Sequence, residues 1–359
     1  MDVGTASADP GEISRGWLDA TTLPTGGRER LPVVVAAGET EGPMLWLTAS
    51  IHGDEVTAMA TAQDVVDERL PGLLRGTVVC LPNLNPAGLR RTSRTSYYHD
   101  DDPNRYFPAA GVEHYRPPRV QELIDGRVFD AVADSADALV DLHTAQVDSL
   151  PFVIRDRVLY GEHRHREAAE SLAAELDRLV GAFGLPVLTE YTADEYTGEN
   201  LHRSTAGAAL NEAGIPAFTA ELGTHSVVDE ANRARGVVGC YRVMVELGML
   251  DAVPAFVPDP GPVSSPVDFP VKRAVGPHTE TAGIVRHRVE PGDVLAAGDT
   301  VADVVSPHGE HWATVCTDQD GFVVARSEGL AVYENDPLVS LGVRDDGDLV
   351  VERERPAGE

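Results

Sequence analysis

Two histidines and two glutamates in this chain stand where a metal-assisted hydrolysis would need them. His52 and Glu55 occur in the run ASIHGDEV, just after an apolar strand-like stretch and at the mouth of a following helix. Side chains three apart at such a junction can face one point. A catalytic zinc takes three protein ligands, commonly two His and a carboxylate, and keeps a fourth position open for water. His143, in VDLHTA at the end of another strand-like run, supplies the third ligand, so the expected cofactor is Zn²⁺, one per chain. Glu221, in FTAELGTH, ends a further strand-like run and is the expected general base. Zinc brings the pKa of its water toward about 7 and polarises a scissile carbonyl, while a nearby carboxylate takes the proton and returns it to the leaving amine. An HxxE pair alone is a weak sign, because Asp54 and Glu55 can equally be first-turn acids favoured by a helix dipole. The weight lies in four residues, from three separated segments, falling on the same edge of one sheet.

That edge is built by alternating elements. The runs 31–38, 43–50, 76–82, 136–143, 151–156, 186–191 and 215–222 read as strands, with helices over about 54–68, 118–136, 161–183 and 229–249. Strands alternating with helices predict an α/β fold: a mostly parallel, mixed sheet with helices on both faces. In such sheets ligands bind outside the carboxyl ends of the strands. The polar stretch 83–111 should be an irregular loop, and long irregular loops inside compact domains are often functional. The expected organisation is a catalytic domain over 1–252, a linker over 253–270 holding six prolines, and a smaller all-β module over 271–359.

The motifs HGDE, NPAG, Asn104-Arg105 in DPNRYFP, DLHTA and AELG, in that order, resemble the succinylglutamate desuccinylase/aspartoacylase family, which is related to zinc carboxypeptidases. The resemblance spans about residues 40–250. It implies a zinc hydrolase that cleaves the acyl amide of a small N-acyl amino acid, with His52, Glu55 and His143 as ligands and Glu221 as the base. It also implies that Arg94 stabilises the oxyanion of the tetrahedral intermediate and that Asn104 and Arg105 grip the substrate carboxylate, a job suited to a guanidinium fork. A metallocarboxypeptidase acting on peptide C-termini would use the same parts and is the alternative function.

Other candidates keep two readings each. Arg90 and Arg91 read as neutralising the acid-rich surface that includes Asp100–Asp102. Asp141 is either a hydrogen-bond acceptor behind His143 or a strand-end structural acid. His225 follows Glu221 closely but reads as a solvated loop residue, and His99, His114, His163, His165 and His202 read as surface. One of Tyr97, Tyr98 and Tyr106 is a possible substrate contact from the long loop.

Composition limits the partners. With 58 acidic against 29 basic residues the net charge is −29, which repels nucleic acid and anionic membranes. Lys272 is the only lysine, and the spread of acids with arginine in place of lysine resembles a halophilic, salt-adapted protein. Cys80, Cys240 and Cys316 are far apart and read as buried thiols in a reducing cytoplasm. No export signal or membrane-length apolar run is apparent, so the expected location is cytoplasmic. The last module's EPGD and AAGD turns resemble biotinyl and lipoyl carrier folds, but no lysine stands at a hairpin tip. A role in covering the cleft or in building a homo-oligomer is the expectation.

Overall fold

The computed structural model describes residues 1–109, 116–161 and 164–353. His114 and His163, and part of the helix expected over 161–183, lie outside the described residues.

A twelve-stranded mixed sheet runs through the molecule. Its order from one edge is Val294–Leu295, Gly321–Arg326, Val339–Arg344, Val271–Val275, Val187–Thr189, Phe152–Arg155, Ala217–Thr224, Ala138–Ala145, Thr40–Ala49, Arg75–Leu81, Arg28–Ala37 and Ile13–Thr22. Ala217–Thr224, Ala138–Ala145, Thr40–Ala49 and Arg75–Leu81 form a continuous parallel block at its heart. Antiparallel hairpin strands close the edge nearest the N-terminus.

Residues 138–144 are buried without alternation, as a strand covered on both faces must be. One group of helices, Val56–Val65, Arg166–Phe183 and Glu230–Glu246, packs together. Another, Val120–Ala133 and Thr205–Ala208, contacts different parts of the same sheet. Helix Arg166–Phe183 shows why such segments form: Ala169, Leu172, Ala173, Leu176, Leu179, Val180 and Phe183 make one buried stripe. Gly184, with φ of 88°, ends it in the left-handed conformation that glycine adopts without strain.

The register of the parallel block is what gathers the site. Thr48 lies opposite Asp141, and His143 lies opposite Glu221, so the carboxyl ends of three strands finish level. The loop carrying His52 leaves from the end of Thr40–Ala49 and enters the helix Val56–Val65.

Residues 251–270 hold no helix or strand. Beyond them, Val271–Val275 pairs in parallel with Val187–Thr189, and three further strands extend the large sheet in antiparallel fashion. Four more strands of this part form a sheet of their own, His311–Cys316, Thr300–Val305, Gly283–His287 and Ala331–Val332, and Val350–Glu352 pairs in parallel with Val158–Tyr160. Val285, Val301, Val304, Val323, Leu338 and Leu341 bury an apolar core of their own here. Phe152, Ile154, Leu188, Val271, Phe322 and Val324 form the seam that joins it to the rest.

One strand went unread and one expectation needs correction. The segment before residue 31 holds a ten-residue edge strand, Ile13–Thr22, whose half-exposed alternation carries little apolar signal. Cys316 is exposed, because it ends a strand whose outer residues face solvent, whereas Cys80 and Cys240 are buried.

Candidate active site

The HGDE loop is fixed by close packing against the NPAG turn. A Cβ on Gly53 would lie 2.1 Å from the carbonyl carbon of Gly88, so only glycine lets the two segments meet. Asn85 accepts from the Gly88 amide at 2.8 Å and donates to the Ile51 carbonyl at 3.1 Å, tying the turn to the loop. Ser50 donates to the Glu55 carbonyl at 3.0 Å. Glu55 occupies the N-cap of helix Val56–Val65, yet its carboxylate makes no capping bond and points to two imidazoles instead.

Glu55 Oε1 is 2.8 Å from His52 Nδ1 and 3.2 Å from His143 Nδ1. One ligand atom from each of the three residues falls within 4.8 Å of the others, and all three residues are buried. Glu55 Oε2 is buried without a hydrogen-bond partner. Two imidazoles and a carboxylate with an unused oxygen fit the donor set of a catalytic zinc. The far nitrogens of the histidines are occupied: His143 Nε2 meets Asp141 at 2.8 Å, and His52 Nε2 meets Asp102 at 3.0 Å. Carboxylates in that position fix the imidazole's orientation and tautomer.

Charge follows this arrangement. Burial opposes ionisation of Glu55, but His143 and His52 together hold its carboxyl well below the usual range. Burial likewise opposes protonation of His143, and the charges of Glu55 and Asp141 still raise it well above an ordinary histidine. Unlike that of Glu55, the carboxyl of Glu221 is raised, by burial, offset by His143 and reinforced by Glu55. Its Oε2 has no hydrogen-bond partner.

A cavity of about 400 Å³ opens over these groups, and His52, Glu55, Arg94, Asn104, Arg105, His143 and Glu221 all line it. Asp102 organises the loop side. Its Oδ1 accepts from the Asn104 amide at 2.9 Å, and its Oδ2 is 2.8 Å from Arg94 and 3.8 Å from Arg105. Asn104 is held by the Thr205 amide and hydroxyl, which donate to its Oδ1 at 2.8 and 3.0 Å.

The remaining candidates sort by contact. Asp141 is buried, accepts from Thr48 at 2.7 Å, and stands behind His143. His225 lines the cavity and meets Glu328 at 2.5 Å. Arg90 pairs at 3.0 Å with Glu29, which is fully buried, rather than with the acid-rich loop. Tyr97, Tyr98 and Tyr106 are absent from the cavity wall, where Tyr191 stands. His165 is exposed, but His202 is half-buried, and burial lowers its pKa to about 4. Sequence reasoning passed over Asp102, Asp156, Glu190 and Arg273, which also contribute to the site or its wall. The one available signal was an acid directly before Pro103, a typical N-cap.

Residues 41–247, more than half of the chain, match the succinylglutamate desuccinylase/aspartoacylase catalytic domain, and the chain belongs to that family. The succinylglutamate desuccinylase of Pseudomonas aeruginosa is 27% identical over 230 residues, which are 62% of this chain and 63% of that protein. The chain thus spans less than two thirds of the length of that curated relative. A succinylglutamate desuccinylase/aspartoacylase from Rhodobacter sphaeroides has the same fold, with a TM-score of 0.73 at 20% identity over 93% of this chain and 96% of its own. The product-bound ectoine utilization protein of Ruegeria pomeroyi is similar in fold, with a TM-score of 0.71 at 20% identity, covering 94% of this chain and 98% of its own.

Proposed function

We propose that this chain is a zinc-dependent amidohydrolase that removes the acyl group from a small N-acyl amino acid. The observation that carries the reading is the level placement of Glu221 beside His143, over the His52–Glu55–His143 donor set, in one cavity with Arg94, Asn104 and Arg105. Family membership supports the same chemistry.

Bound zinc, held by His52, Glu55 and His143, would supply Lewis acidity to the scissile carbonyl and acidify the attacking water. Glu221 takes the proton from the water and passes it to the leaving nitrogen. Burial, reinforced by the charge of Glu55, raises its carboxyl, the direction that strengthens it as a proton acceptor. Arg94 is a fixed cation at the cavity, held by Asp102, and is placed to stabilise the oxyanion. Arg105 and Asn104 hold the substrate carboxylate, with Asn104 anchored on Thr205. Arg273, Ala274, Val324, Ser340 and Leu341 wall the cavity from beyond the Pro-rich stretch, which favours small substrates over long peptides. The C-terminal β module is therefore read as a cover for the cleft.

The test combines metal analysis with turnover. The wild type should bind near one zinc per chain and hydrolyse N-acetyl or N-succinyl amino acids, and His143→Ala should lose both. Cleavage of peptides from the C-terminus, with no action on acyl amino acids, would instead establish a carboxypeptidase.

A further inference from the structure

Glu29 places an acid at a core position. It alternates with Leu31 and Val33 on the buried face of strand Arg28–Ala37, and it is fully buried while Arg28 and Arg30 on either side are exposed. A carboxylate there needs partners, because an unpaired buried charge is costly. Its partners come from the loop after the NPAG turn. Arg90 donates to both of its oxygens, at 3.0 and 3.2 Å, and the Tyr98 hydroxyl donates to Oε2 at 2.5 Å. Arg90 also donates to the Tyr97 hydroxyl at 3.0 Å, and the Tyr97 and Tyr98 rings stand 4.7 Å apart. One buried carboxylate thus holds both ends of the segment from Arg90 to Tyr98.

Arg94 is the midpoint of that segment, four residues from each anchor. The Gly53 amide donates to its carbonyl at 3.3 Å, which fixes its main chain against the HGDE loop, and Asp102 holds its guanidinium at 2.8 Å. The backbone leading to it is strained. Thr92, midway between Arg90 and Arg94, has a φ of 47°, a left-handed conformation that a β-branched residue avoids. Such a conformation persists only where surrounding contacts over-determine it. The bonds to Glu29 supply such contacts on both sides of Arg94.

We propose that Glu29 is a positioning residue for Arg94: through Arg90 and Tyr98 it holds the loop in the shape that presents the Arg94 guanidinium to the developing oxyanion. The inference rests on the deacylase reading given above and on the oxyanion role of Arg94 within it. Glu29, Arg90 and Tyr98 are themselves absent from the cavity wall, whereas Arg94 is part of it. Asn104, farther along the loop, has its own anchor on Thr205, so the grip on the substrate carboxylate does not depend on Glu29. Loss of Glu29 should therefore act on the chemical step more than on binding.

The test uses the zinc-loaded enzyme and an N-acetyl or N-succinyl amino acid that it hydrolyses, chosen from a panel of such derivatives. Glu29→Gln should lower kcat about 10–100-fold, the scale of misplacing a reacting group by up to about 1 Å, with KM changed less than about twofold and zinc retained. Tyr98→Phe, which removes only one hydroxyl, should shift kcat in the same direction, and it carries the test if Glu29→Gln fails to fold. Arg94→Ala supplies the readout that a merely structural role would not move. In that background Glu29→Gln should cause no further fall in kcat, because the group it positions is gone. Equal losses in both backgrounds, a wild-type kcat in Glu29→Gln and Tyr98→Phe, or a wild-type kcat in Arg94→Ala overturns this inference and leaves the deacylase standing. No hydrolysis of any derivative by the wild type overturns both.

Discussion

Asp141 Oδ2 lies 2.8 Å from Nε2 of His143, two residues further along the same strand. The period of two along a strand places both side chains on one face, and Thr48 on the neighbouring strand donates to the other Asp141 oxygen at 2.7 Å. The imidazole is thereby aimed with Nδ1 toward Glu55. Asp141→Asn should preserve the fold and weaken zinc binding by about 10–100-fold, the range seen when such supporting carboxylates are removed. Chelator competition measures this directly, and an unchanged affinity would reduce Asp141 to a structural acid.

Glu221 should separate chemistry from metal binding. It shares the cavity with the His52–Glu55–His143 donor set but is not part of it, so on the proposed mechanism Glu221→Gln should retain zinc while kcat falls about 10²–10⁴-fold, the usual contribution of a general base. Turnover near that of the wild type, with zinc still present, would remove Glu221 from the mechanism.

The donor residues and Glu221 share a physical property that made them legible, since each sits where a strand ends, whereas Arg94, Asn104 and Arg105 lie in a loop and were legible only through the motif resemblance. His143 and Glu221 close parallel neighbours, and His52 and Glu55 follow a third, so the alternation of elements alone aligns them. Asp102 was hidden because its contact with His52 bridges fifty residues through an irregular loop. It stood with Asp100 and Asp101 in what looked like a solvated acid run. Arg273 was hidden for another reason. Its place depends on Val271–Val275 docking beside Val187–Thr189, a long-range register that follows a stretch with no regular structure. The edge strand Ile13–Thr22 escaped notice because half-exposed edge strands need few apolar residues.

Arg105 offers a test of substrate positioning. Its guanidinium stands at the cavity near Asp102, with one nitrogen donating to the Asn104 carbonyl at 2.8 Å. Arg105→Lys keeps the charge but loses the planar fork that binds a carboxylate through two bonds. KM for an N-acyl amino acid should rise about tenfold or more, with a smaller change in kcat. A matching amide without the free carboxylate should be insensitive to the substitution, and equal losses on both substrates would contradict the assignment.

Salt should stabilise this protein. A net charge of −29 sets up repulsion over the whole surface, and at 1 M salt the screening length shrinks to about 3 Å. Screening also weakens exposed ion pairs such as Arg15–Glu68 and Arg166–Glu170, but such pairs contribute only about 0–1 kcal/mol each. The excess of acids acts everywhere, so relief of repulsion should prevail. The thermal midpoint should therefore rise between low salt and about 1 M NaCl and continue to rise in KCl, as read by circular dichroism at constant pH. A midpoint that falls with salt would show that the ion pairs outweigh the repulsion and that the acidic surface has another origin.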